Sequence, residues 1–170
     1  MDEIVNRVQE SGIVSINLEE AIAHIPLAEI DLAPYLWQGM VLKEADFRSW
    51  VKEHDWSQYQ GKGVGVFCSA DAIIPMWAFM LVSSQLSGIA YLSTFGHAED
   101  VREQLLIQHI NSTDTSNIRD QRVVVKGCST FEVSPSVFMH LTQRFQPHVK
   151  SLMFGEPCST VPIYKVPRKG

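Results

Sequence analysis

The chain has 170 residues, 45% of them hydrophobic and 19% charged, with a formal net charge of −5 and a pI near 5.6. That length suits one domain with a single substantial core. The acidic balance leaves no electrostatic footprint for nucleic acid, since Lys and Arg are scattered and only Lys165, Arg168 and Lys169 cluster.

The start, Met1-Asp2-Glu3-Ile4, is acidic and lacks the basic-then-apolar pattern of a signal peptide. The longest mostly apolar stretch, Ala70 to Leu86, carries Asp71, Pro75, Gln85 and serines, which suits a buried helix better than a membrane span. A cytoplasmic protein with no membrane association is therefore expected. In that reducing setting the odd count of three cysteines argues for free thiols rather than a disulfide framework.

In chain order, Ile4 to Val14 is read as a short helix running into a strand over Gly12 to Ile16. Pro34 restricts the residue before it, so a helix near Ile30-Asp31-Leu32 must begin at or after the proline. Phe47, Trp50 and Val51 recur at helical spacing within Lys43 to Val51. From residue 63 a strand and helix rhythm begins. Val64 to Cys68 reads as a strand, and Asp71 to Leu86 as a helix with Ser69 or Asp71 as N-cap and Pro75 in its first turn. Ile89 to Phe95 is the next strand, Ala98 to Ile110 the next helix, and the polar run Asn111 to Asn117 a loop. Arg122 to Gly127 contains the uninterrupted Val123-Val124-Val125 of a strand buried on both faces. Pro135 to Phe145 reads as a helix opening on Ser134, and Ser151 to Phe154 as a strand.

This alternation predicts an α/β fold: a mainly parallel sheet with helices on both faces, to which the N-terminal third adds strands or helices at an edge. An α+β fold with an antiparallel edge from that third is the alternative. One domain spanning 1–170 is expected, with residues 1–60 as an extension packed on a βαβ core of 63–165. No repeat of whole units is evident.

Each cysteine is followed by serine: Val66-Phe67-Cys68-Ser69, Lys126-Gly127-Cys128-Ser129 and Glu156-Pro157-Cys158-Ser159. Each also ends an apolar run that reads as a strand. Parallel strands share their C-terminal edge, where ligands of open α/β sheets bind. A helix starting at Asp71 would aim its positive end at that edge and favour thiolate. Three thiolates suit zinc, or an iron–sulfur cluster with one iron open to another ligand. Asp71, at Cys-x-x-Asp spacing from Cys68, is the most economical fourth ligand, with His54 and His97 as imidazole candidates. Any one of these cysteines taken singly is better explained by burial, and Asp71 by capping. The matched context of all three is what argues for a shared metal site at Cys68, Cys128, Cys158 and Asp71.

His109 and His140 fall inside helices, and His54 reads as a helix-end residue rather than half of a catalytic pair with Asp55. Trp37, Trp50, Trp56 and Trp77 read as core or interface anchors. Gly61 to Gly65 precedes a strand and so is not a phosphate loop, and no nucleophile elbow occurs.

Glu53-His54-Asp55-Trp56-Ser57-Gln58-Tyr59, Cys68-Ser69-Ala70-Asp71-Ala72-Ile73, Lys126-Gly127-Cys128-Ser129 and Gly155-Glu156-Pro157-Cys158-Ser159-Thr160-Val161-Pro162, in that order, resemble the DUF2480 family of bacterial proteins, mostly from Bacteroidetes. The resemblance covers nearly the whole chain. It implies a cytoplasmic bacterial protein whose gene sits near iron–sulfur assembly genes, with assembly proteins as partners.

Three functions follow as expectations. The first is a metal- or cluster-binding accessory in iron–sulfur assembly. The second is a zinc metalloenzyme with an open fourth position and Asp71, Glu156 or His54 as base. The third is a non-catalytic interaction module with a structural metal or none. The Trp and Met content is compatible with a homodimer.

Overall fold

The computed structural model describes residues 5–8, 12–156 and 158–167. Its strands are β1 (Val5–Val8), β2 (Ile13–Asn17), β3 (Leu27–Asp31), β4 (Gly63–Phe67), β5 (Leu92–Phe95), β6 (Arg122–Lys126), β7 (Ser151–Glu156) and β8 (Ser159–Lys165). Its helices are α1 (Leu18–Ile22), α2 (Glu44–Glu53), α3 (Met76–Leu86), α4 (Ala98–Ser112) and α5 (Pro135–Phe145). The fold is α/β, and the chain divides into two compact units: a central unit, Ile25–Leu105, and a terminal unit that joins Met1–His24 to Leu106–Gly170.

The central unit is built on a parallel sheet in the order β3-β4-β5. Gly63 and Gly65 let other chain segments press onto β4. A Cβ at Gly63 would meet Val101 at 2.7 Å, and one at Gly65 would meet the Gly96 carbonyl oxygen at 2.5 Å. Val64 and Val66 of β4 join Ile30 and Leu32, Phe47 and Val51 of α2, and Ala78, Val82 and Leu86 of α3 in one buried cluster. The last three recur every four residues, the spacing that lays one helix face on a sheet.

The terminal unit carries a five-stranded sheet in the order β1-β2-β6-β7-β8. Its interior strands β2, β6 and β7 run parallel, while β1 and β8 pair antiparallel at the two edges. The mainly parallel sheet expected from the strand and helix rhythm therefore holds for the central unit and for the interior of this sheet, not for its edges. Val123, Val124 and Val125 of β6 are all buried, as a strand covered on both faces requires. Val137, Leu141 and Phe145 supply the buried face of α5, whose start is fixed by Pro135 and by Ser134 Oγ accepting from the Ser136 amide at 3.1 Å.

The two units repeat one another, contrary to the expectation of no repeat. Corresponding residues from α2 to β5 and from α4 to β7 lie 59 positions apart, as Gly63 and Arg122 do at the starts of β4 and β6. Buried residues match at this offset: Phe47 with Leu106, Val51 with Ile110, Tyr59 with Ile118, Val64 with Val123, Val82 with Leu141, and Leu86 with Phe145. Backbone hydrogen bonds match too. Tyr91 N donates to Lys62 O and Lys150 N to Gln121 O, each at 2.8 Å. So do unusual dihedrals, with φ +70° at Gly61 against +57° at Asp120, and +114° at Gly96 against +122° at Gly155. A repeat this complete in structure is faint in sequence, because burial conserves size and polarity at each position rather than identity.

Other departures have local causes. Residues 5–8 are strand rather than the helix expected over Ile4 to Val14, and the antiparallel partner they supply satisfies the backbone of β2; Ile4 and residues 9–11 lie outside the described residues. α3 begins at Met76, not Asp71, because the proline at 75 disfavours helical dihedrals at Ile74. β8 was not expected at all. Of the basic cluster, Arg168 and Lys169 lie outside the described residues, as does Pro157. No helix among the described residues is long and apolar enough to cross a membrane.

Candidate functional site

Cys68 and Cys128 follow the matching strands β4 and β6, and in each unit a carboxylate from the neighbouring strand region holds the adjoining serine. In the central unit Asp31, at the end of β3, accepts from the Ser69 amide at 2.9 Å and from the Ser69 hydroxyl at 2.5 Å, while also accepting from the Ala33 amide at 2.9 Å. Burial pulls the Asp31 carboxyl upward, but the Ser69 and Ala33 donors outweigh it and hold it below the usual aspartate value, helped by His97. In the terminal unit Glu19 does the same work from the first turn of α1. It accepts from the Ser129 amide at 3.1 Å, the Ser129 hydroxyl at 3.3 Å and the Thr130 hydroxyl at 2.5 Å. The Thr130 hydroxyl and the Ser129 amide lower its carboxyl. Asn17 positions this carboxylate by capping α1, its Oδ1 accepting from the Glu19 amide at 3.1 Å.

Cys68 and Cys128 sit beside these latches. Cys68 is half-buried on the central core, and its Sγ donates to the Ala70 carbonyl at 3.7 Å. Cys128 is half-buried, and burial, with the Glu19 charge behind it, pushes its thiol up. Cys158 is exposed in the turn between β7 and β8. The helix expected to start at Asp71, three positions after Cys68, instead starts at Met76.

Asp71 is exposed on the loop before α3 and does not cap it; the cap position belongs to Pro75. His54 closes α2, its Nε2 lying 3.1 Å from the Tyr59 hydroxyl and 3.3 Å from Gln58 Nε2, with the Trp50 and Trp56 rings against it. His97 lies 3.4 Å from Glu29 Oε1 and 3.9 Å, ring to ring, from Phe67. Glu156 pairs with Lys126 Nζ at 3.3 Å. Among the described residues no group of three or more His, Cys, Asp or Glu side chains is placed to hold a metal ion. Cys68 and Asp71 belong to the central unit and Cys128 and Cys158 to the terminal one.

What the units do share is an exposed apolar face. Phe79 of α3 meets Phe95 of β5 edge to face at 5.4 Å and 83°; Phe138 of α5 meets Phe154 of β7 at 5.4 Å and 87°. These are the same pair, 59 positions on. Next to them Met80 is 72% exposed and Met139 64%. Sequence reading missed the face because Phe79-Met80 and Phe138-Met139 lie in helices read only for their buried stripe. The recurring Phe-Met dipeptide was the available signal.

The family model described as "Protein of unknown function (DUF2480)" matches residues 2–166, and the chain belongs to that family. No curated protein and no solved structure matches it.

Proposed function

We propose that this DUF2480 protein is a non-catalytic interaction module, formed by an internal repeat in which each unit offers a Phe–Phe–Met face to another protein. One observation carries the reading: the pairs Phe79–Phe95 and Phe138–Phe154 recur with the same geometry, each beside a methionine more than half exposed. Apolar side chains grouped on a surface cost solvation unless something covers them, and methionine adapts to varied partners. The carboxylate–serine latches support the same reading, because in both units they tie the strand-end loop to a neighbouring element. The resemblance to proteins encoded near iron–sulfur assembly genes makes assembly proteins the partners to test first, in a cytoplasmic setting.

The test is photo-crosslinking in cells with benzoylphenylalanine placed at Met80 or Met139, and at exposed Glu99 as control. Protein adducts are expected from the two methionine positions and not from Glu99. Adduct-free protein at both methionine positions sinks the reading.

A second reading keeps Cys68, Cys128, Cys158 and Asp71 as ligands of zinc or an iron–sulfur cluster. It is supported by the placement of Cys68 directly after β4 and of Cys128 two positions after the equivalent strand β6, and by all three thiols being free to bind.

A further inference from the structure

The two sheets end differently. In the terminal unit β8 lies antiparallel along β7, with Val161 opposite Phe154. In the central unit the equivalent strand, β5, is the last of its sheet, and no described strand lies along its outer side. Phe154 is 39% exposed where β8 flanks it, whereas Phe95 is 70% exposed. Between β5 and α3 runs an open groove of about 540 Å³, lined by Phe79, Met80 and Phe95 together with the hydroxyls of Ser83, Ser87 and Ser93. Met76 and Met80 stand one helical turn apart on α3, and both are more than two-thirds exposed.

Free sheet edges are ordinarily blunted by charged residues or proline. β5 has neither. From Ala72 to Gly96 the sequence holds no Asp, Glu, Lys, Arg or His, although 19% of the whole chain is charged. An uncharged edge in a chain of net charge −5 lets two copies meet there without like charges in contact. An antiparallel pairing of one segment with itself is also closed by a two-fold axis, so it yields a dimer rather than a filament.

We infer that β5 is a homodimer interface: β5 of a second copy lies antiparallel along it, as β8 lies along β7, and continues the three-stranded sheet across a two-fold. This rests on the docking-face reading of the central unit and names what covers that face. The strand pairing supplies hydrogen bonds and register, and the Met76, Met80 and Phe95 side chains supply the buried apolar area. Gly96 N donates inward to Val66 O, so by alternation the amides of Ser93 and Phe95 point to the open edge.

Light scattering on the eluting full-length chain tests this. Wild type is expected at twice 19.2 kDa. Ser93→Pro, which removes an outward amide and leaves the inner ladder intact, is expected at the monomer mass with unchanged circular dichroism. Met80→Lys, at an exposed position that folding does not need, is expected to do the same. A wild-type monomer at all concentrations overturns the inference, and so does a dimer that persists in both variants. Crosslinks from Met80 to other proteins alone, with wild type monomeric, would defeat the dimer and leave the docking-face reading standing.

Discussion

At the scale of single residues, the serines after Cys68 and Cys128 tie their loops to the rest of the fold. Ser69 and Ser129 each give an amide and a hydroxyl to one carboxylate, and that pairing fixes the loop on which Cys68 or Cys128 sits. A carboxylate so close also repels a developing thiolate, which is part of why Cys128 is held protonated. Binding a metal there must displace a proton from a thiol that resists losing it. The metal reading is therefore decided by composition. Protein purified without oxygen should carry zinc or iron close to one site per chain, and Cys128→Ser should lower that content several-fold, by elemental analysis. Metal-free wild type, or unchanged stoichiometry in the variant, counts against ligation by Cys128.

At the scale of elements, the sequence was most legible where local chemistry and tertiary packing agree. α5 runs over the residues expected, because Ser134-Pro135 sets its start and Val137, Leu141 and Phe145 mark one face. β6 was announced by three successive valines. β8 was hidden by Pro162, which reads as a strand breaker. It is tolerated because β8 is an edge strand and Pro162 sits beside a register shift between Leu152 and Met153, where an amide is dispensable. The turn from β7 into β8 depends on Gly155, whose φ of +122° is open to glycine alone and whose added Cβ would lie 2.6 Å from the Ser159 carbonyl oxygen. Gly155→Ala should cost about 2 kcal/mol or more in urea unfolding. Gly127→Ala, with ordinary dihedrals and only Phe154 Cζ at 3.6 Å, should stay within about 0.5 kcal/mol of wild type. Equal stability of the two variants would show that the matching glycines at 96 and 155 are coincidental.

At the scale of the molecule, the repeat places the same kind of acid at the same kind of turn in both units. Asp55 accepts from the Ser57 amide and hydroxyl at 3.0 and 2.5 Å, and Asp114, 59 positions on, accepts from the Ser116 amide and hydroxyl at 2.9 and 2.7 Å. The candidate site was partly legible for the same reason. Paired Cys-Ser segments were visible as motifs, but the acids that hold them, Asp31 and Glu19, lie 38 and 110 positions away in the chain, and only the folded sheets bring them close. Asp31, Glu19, Asp55 and Asp114 are all held below their ordinary values, 4.5 for the glutamate and 3.8 for the aspartates. A carboxyl depressed on folding binds its proton less tightly in the folded state than in the unfolded one. Its stabilisation is therefore complete above the ordinary value and drains away as pH falls through it toward the folded value. The urea midpoint should accordingly hold steady from neutral pH down to about pH 5 and fall steeply between about pH 5 and pH 3. Combining Asp31→Asn with Asp114→Asn should lower the neutral-pH midpoint and flatten that acid limb, because these two side chains then have no proton to gain. A double variant whose acid limb is as steep as that of wild type would place the acid sensitivity in other carboxylates and remove the latches from the account of stability.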